Sequence, residues 1–241
     1  VGEDLLLLHG FSQTHRAFDG VIASLPGERY RPLAPDLPGH GPNPGGEPIG
    51  FASCVAGLAG LAPPTFALCG YSQGGRIALH LALAHPDRVS RLVLISTTAG
   101  IEDRGAREAR RAADEALAGR IESEPLEDFV SRWRDQPLFA GEPPAVREAA
   151  VADQLRNTPS GLAMALRGLG TGTMEPVWGR LGELLIPVTV LAGEHDSRFL
   201  VLGRRLADEL PDGRLEVVAG AGHGLLLEAP QAVAAALTGE P

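Results

Sequence analysis

Lysine is absent from this chain of 241 residues: all 21 basic residues are arginine. A lysine-free composition fits a GC-rich bacterial genome, and it removes any argument that an individual arginine was chosen over lysine for its forked geometry. Positive charge is scarce as well. Thirty acidic residues leave a net charge of −9, which speaks against nucleic acid as a general partner. Cysteine occurs twice, at Cys54 and Cys69, with no metal or redox spacing, and both sit in apolar stretches as small core residues. Aromatics make up only 5%. No apolar run reaches membrane-spanning length although 44% of the chain is hydrophobic, so a soluble globular domain without a membrane partner is expected. There is no charged-then-apolar leader, which makes a cytoplasmic location the default. The missing initiator Met points to trimming or an alternative start codon. No metal constellation, phosphate-cradling loop or internal repeat is present, so neither metal nor cofactor is expected.

The most informative stretch is Gly70-Tyr71-Ser72-Gln73-Gly74. It follows the apolar run Phe66-Ala67-Leu68-Cys69 and precedes the helical pattern beginning at Arg76. A Gly-x-Ser-x-Gly between strand and helix is the context of a nucleophile elbow. It lifts one hydroxyl out of the sheet edge and aims helix N–H groups at whatever binds there. A serine hydroxyl is a weak nucleophile or base alone, so an acid and then a histidine are expected downstream. Asp196 ends the apolar run Ile186–Ala192, and His223 follows Leu215–Val218 inside a glycine-rich loop. Asp196 also has the position of an N-cap for a helix over Ser197–Leu210. Glu194 is the competing acid. His80 and His85 read as structural, while His15, His40 and His195 lack a triad position. His9-Gly10-Phe11 follows the apolar Leu5–Leu8; that loop places the backbone N–H groups of Phe11 and Gln73 as an oxyanion hole, with His9 a packing residue.

Short apolar runs alternate with helical runs over 1–98, and the pattern resumes over 181–241. That is a parallel α/β arrangement. Between them, 99–180 holds no convincing strand and is rich in Arg, Ala and Glu. It reads as an all-helical cap inserted over the strand C-terminal ends, where open α/β sheets bind ligands. Arg104, Arg107, Arg110 and Arg111 recur there among acidic residues, a pattern that for most of them means a solvated, salt-bridged helix. Arg76 differs. It lies one helical turn after Ser72, near the pocket floor, where an apolar acyl chain has no use for a charge.

His9-Gly10-Phe11-Ser12, Asp36-Leu37-Pro38-Gly39-His40-Gly41, Gly70–Arg76 and Gly193–Phe199 together resemble the α/β-hydrolase superfamily. Trp133-Arg134-Asp135-Gln136-Pro137-Leu138-Phe139 and Leu166-Arg167-Gly168-Leu169-Gly170-Thr171-Gly172 narrow the resemblance. It is to the 2-succinyl-6-hydroxy-2,4-cyclohexadiene-1-carboxylate synthases, pyruvate-eliminating enzymes of menaquinone biosynthesis. The resemblance covers nearly the whole chain. It implies an α/β-hydrolase fold, with a mostly parallel sheet flanked by helices, and a small polycarboxylate substrate. It marks Ser72, Asp196 and His223 as the triad, and Arg76, Arg110 and Arg156 as substrate-carboxylate contacts, with Arg107 and Arg111 within a turn of Arg110. Tyr71 and Trp133 match pocket-lining aromatics. Gln73 departs from the family, where Leu or Met is common, and one or two strands that usually come first are absent or cut short. The same triad serves ester hydrolysis, so an esterase or C–C-bond hydrolase stays open. Oligomeric state is not legible.

Overall fold

The computed structural model describes residues 2–45 and 49–239. Six strands form one sheet in the order β2-β1-β3-β4-β5-β6. They are β1 (Glu3–Leu8), β2 (Tyr30–Leu33), β3 (Phe66–Tyr71), β4 (Val89–Ile95), β5 (Val188–Gly193) and β6 (Gly213–Val218). Every neighbouring pair is parallel. A parallel sheet must be covered on both faces, which is why its strands read as nearly continuous apolar runs. Leu5-Leu6-Leu7-Leu8 shows how that works. Successive side chains point to opposite faces, so Leu6 and Leu8 enter one core and Leu5 and Leu7 the other, all at most 1% exposed. Burying each contributes roughly 1.5–3 kcal/mol.

The first core is closed by α2 (Phe51–Leu61), α3 (Gln73–Ala84) and α8 (Ser197–Glu209). The second is closed by α1 (Asp19–Ala23), α9 (Leu225–Glu228) and α10 (Pro230–Thr238). Cys54 and Cys69 are buried free thiols, one in each core. β5 starts at Val188 rather than at Ile186 as the apolar run implied. Pro187 has no N–H to give the ladder; its carbonyl still accepts from Leu92 N at 3.0 Å.

Between β4 and β5 the chain leaves the sheet and forms α4 (Arg104–Ser123), α5 (Leu126–Arg134), α6 (Pro144–Gln154) and α7 (Pro159–Leu169). This insert has its own small core, in which Ala118, Ile121, Phe129, Val130, Leu162, Ala163 and Leu166 are buried together. Asp103 caps α4 by accepting from Ala106 N at 2.7 Å. The neck of the insert is pinned where Val177 N donates to Ala99 O at 2.8 Å and the Trp178 indole donates to Gly100 O at 2.9 Å. One acidic residue departs from the solvated-face expectation. Asp114 is only 5% exposed, because it turns inward and accepts from Gly172 N at 3.3 Å while pairing with Arg110.

Candidate active site

Because all the strands are parallel, the loops after β1, β3, β5 and β6 emerge at one edge of the sheet. Those loops carry Phe11, Ser72, Asp196 and His223. Ser72 links β3 to α3 with φ 51° and ψ −108°, a backbone that L-residues avoid. The surroundings hold it there. Ser72 N donates to Ile95 O at 2.8 Å, and Ser72 O accepts from Thr97 Oγ1 at 2.7 Å. Glycine is required at position 74, where a Cβ would collide with the carbonyl oxygens of Leu8 and His9. The start of α3 therefore presses directly on the loop after β1.

His223 is 3% exposed, and its Nδ1 lies 2.6 Å from Asp196 Oδ2. A carboxylate can only accept, so Nδ1 carries the proton and Nε2 is left as the basic nitrogen. Asp196 also accepts from Phe199 N at 3.3 Å as the N-cap of α8, so it holds both positions expected of it. Glu194 is exposed and accepts instead from Gly220 N at 2.8 Å. Tyr71, Phe199 and Phe139 wall the imidazole, with ring centroids at 5.4, 4.7 and 5.9 Å. Burial pushes the Tyr71 phenol well above its ordinary range, so it stays neutral.

Two supports of this histidine were not read from the sequence. Glu228 accepts from Gly222 N at 2.7 Å and from Gly224 N at 2.8 Å, gripping the loop on either side of His223. Its spacing of five residues from the histidine was the available signal. Glu142 pairs with Arg134 in a buried contact, and the Arg134 guanidinium lies 3.9 Å over the Phe139 ring, so the ring facing His223 has a charged backing.

On the facing loop, Gly10 N donates to Gln13 Oε1 at 2.9 Å and Ser12 N to His40 Nε2 at 3.2 Å. The Phe11 N–H therefore sits between two tied neighbours. Phe11 itself packs edge-on against Trp133 at 5.2 Å. His9 is a packing residue that accepts from Leu37 N at 2.9 Å. His40 lacked a triad position in the sequence and here anchors the loop. Both imidazoles are fully buried, and desolvation lowers both, His40 to about 4. His80 rests on Phe51 at 4.8 Å and His15 pairs with Asp36 at 3.0 Å, so both are structural. His85 is the C-cap of α3, and His195 is exposed.

Arg76 is 8% exposed, in the first turn of α3 after Ser72. Its Nη2 donates to Leu169 O at 3.2 Å, and its Nε has no partner. Burial, then the nearby Arg110, push the guanidinium down to about 9, with Asp114 opposing. The fold thus brings Arg76 and Arg110 together. Arg107 turns instead to Ile101 O at 2.9 Å, and Arg111 is exposed. Arg156 is exposed just beyond α6. The Gln73 side chain is buried; Nε2 donates to Leu169 O at 3.3 Å and Oε1 has no partner. Among the described residues, no cluster of ligating side chains could hold a metal ion, and no helix is long and apolar enough to cross a membrane.

The profile of the Alpha/beta hydrolase family matches residues 5–236. The 2-succinyl-6-hydroxy-2,4-cyclohexadiene-1-carboxylate synthase of Enterobacter sp. (strain 638) is 35% identical over 237 residues, covering 97% of this chain and 89% of that protein. A solved structure of MenH from S. aureus superposes with a TM-score of 0.92 at 29% identity, covering 98% of this chain and 92% of that one. A malate-bound thermophilic esterase from Thermogutta terrifontis superposes with a TM-score of 0.80 at 26% identity, covering 99% and 89%. The chain belongs to the alpha/beta hydrolase family of enzymes and, within it, to the 2-succinyl-6-hydroxy-2,4-cyclohexadiene-1-carboxylate synthases.

Proposed function

We propose that the protein eliminates pyruvate from 2-succinyl-5-enolpyruvyl-6-hydroxy-3-cyclohexene-1-carboxylate, giving 2-succinyl-6-hydroxy-2,4-cyclohexadiene-1-carboxylate in menaquinone biosynthesis. The observation that carries the reading is Arg76. It is a nearly buried guanidinium one helical turn from Ser72, with an unpartnered Nε and a second arginine beside it. An apolar acyl chain gives such a group nothing. A carboxylate satisfies the free donor and removes the desolvation penalty that depresses its basicity.

In this mechanism Asp196 fixes the His223 tautomer, and His223 Nε2 takes the proton of Ser72. The Ser72 oxygen removes the C2 proton alpha to the succinyl carbonyl. The Phe11 and Gln73 N–H groups stabilise the developing enolate oxygen. The C2–H electron pair becomes the C2=C3 bond, the C3=C4 pair moves to C4=C5, and the C5–O bond breaks. The departing enolpyruvate takes up a proton at carbon and becomes pyruvate. Arg76, Arg110 and Arg156 meet the substrate's carboxylates, and Tyr71 and Trp133 line the pocket. No cofactor, metal or acyl-enzyme is needed, and the reaction calls for no nucleic-acid or membrane partner.

Ester hydrolysis is the second reading, favoured by the likeness to the malate-bound esterase. The test supplies the enolpyruvyl precursor and a neutral nitrophenyl ester in parallel. The proposal expects pyruvate and diene in equal amounts, with slow turnover of the ester. Rapid ester cleavage without pyruvate release would replace it with the hydrolase reading.

A further inference from the structure

We infer that Gln154, the last residue of α6, and Asn157, three residues beyond it, are positioning residues for the oxyanion donor at Phe11, so that the insert is part of the catalytic geometry. This rests on the reading that the Phe11 N–H meets the developing oxyanion.

The residue after Phe11 is the key. Ser12 has φ 64°, a left-handed backbone in a non-glycine residue. That conformation is disfavoured in an L-residue and persists only where neighbours over-determine it. Three groups do so here. The Ser12 N–H donates to His40 Nε2 at 3.2 Å, from the core side. The Ser12 hydroxyl accepts from Gln154 Nε2 at 2.7 Å, and the Ser12 carbonyl accepts from Asn157 Nδ2 at 2.8 Å, both from the insert side. Asn157 is itself locked, accepting from Gly41 N at 2.9 Å and donating to Gln154 O at 2.9 Å. Two residues further on, Thr14 gives both its N–H, at 2.9 Å, and its hydroxyl to Asp153. A single turn of the insert therefore holds 12–14 from above. If Ser12 relaxed to an ordinary φ, the Phe11–Ser12 peptide would rotate and drag Phe11 with it, so the adjoining Gly10–Phe11 peptide would shift and the N–H it carries would lose its aim.

The contact also looks unlike one kept for stability. Gln154 is 1% exposed, and its Oε1 is buried without a partner. An unsatisfied buried carbonyl oxygen is destabilising. Strain on one side of the Gln154–Ser12 bond and an orphaned oxygen on the other mark a position where geometry outweighs stability.

The test compares Gln154→Leu, Ser12→Ala, their double variant and Asn157→Asp. Leucine keeps the bulk and removes both the bond and the orphaned oxygen. Gln154→Leu is expected to keep or raise Tm, to leave KM within about twofold, and to lower kcat by about tenfold. That is a fraction of the hundredfold or more lost when an oxyanion donor is removed outright. Ser12→Ala should match it, and the double variant should fall no further, because both delete one bond. Asn157→Asp, which turns a donor towards Ser12 O into an acceptor, should lower kcat at least as much. The same ranking should appear in the rate at which a small fluorophosphonate labels Ser72, read by intact mass. That reaction needs the oxyanion donors but not the natural substrate, so it decides the inference even if the wild-type enzyme releases no pyruvate. Unchanged kcat and labelling rates across the set, or losses that follow Tm alone, would overturn it.

Discussion

Burial first, and then the neighbouring Arg110, lower the basicity of Arg76, and Asp114 offsets Arg110 only in part. Arg110 is tied by its Nε to Asp114 Oδ1 at 2.7 Å, so one carboxylate answers two guanidiniums. This cluster of three side chains is left with a surplus of positive charge in a chain whose net charge is −9. The proposed substrate carboxylate would complete the arrangement.

Removing that charge should separate anionic from neutral substrates. A charge-assisted hydrogen bond is worth about 1.5–3 kcal/mol, or roughly 10- to 150-fold. Arg76→Ala and Arg156→Ala should each lower kcat/KM for the tricarboxylate by that range and change nitrophenyl ester turnover little. Arg104→Ala, an exposed residue paired with Glu108 at 2.9 Å, should alter neither. Equal losses on both substrates would show that Arg76 and Arg156 hold the fold instead of the ligand.

Ser72 and His223 should behave as one unit. Ser72→Ala is expected to lower turnover at least about a hundredfold and His223→Ala comparably, with the double variant close to either single one. Pyruvate release near the wild-type rate from Ser72→Ala would remove the serine from the proposed mechanism.

The elbow, the parallel α/β pattern and the positions of Asp196 and His223, each in the loop after an apolar run, were legible because each is encoded by a local stretch of residues. A Gly-x-Ser-x-Gly announces its own backbone, and a buried strand announces its own apolar run. The choice among Arg107, Arg110 and Arg111 was not legible. It depends on the rotation of α4 against α7, fixed by Asp114 reaching Gly172, and Asp114 read as one more solvated acid. Ser12, His40, Gln154 and Asn157 were equally silent. Their bonds span from 28 to 145 residues of chain and leave no local pattern.

Glu228 should prove to be a support of His223. Glu228→Ala leaves the Gly222 and Gly224 N–H groups without an acceptor, costing about 1–3 kcal/mol. For a chain of this size that is a fall in Tm of roughly 3–10 °C. It should also lower kcat more than it raises KM, with Glu228→Gln intermediate. An unchanged kcat with the full loss of Tm would make Glu228 a stabilising residue only.

Acid should destabilise the fold before any carboxylate titrates normally. His9 and His40 are neutral in the folded chain and take up protons near pH 6.5 once unfolded. Their stabilising effect is complete above pH 6.5 and is lost as pH falls towards about 4. For His40 alone the full loss is about 3 kcal/mol. Asp153, whose carboxyl is raised by burial, acts in the opposite sense but is outnumbered. The urea midpoint should drop between pH 6.5 and 4.5, and the His40 imidazole should titrate near 4 by NMR. A midpoint flat across that interval would contradict the buried neutral pair.

In the proposed mechanism the Ser72–His223 pair moves a proton and never forms a bond to carbon. It is tested most directly by quenching the wild-type enzyme with acid during turnover of the enolpyruvyl precursor, then reading pyruvate and intact protein mass from the same sample. Pyruvate should accumulate linearly from the first turnover while the protein mass stays that of the unmodified chain. A product burst accompanied by a mass adduct that maps to the Ser72 peptide would contradict it.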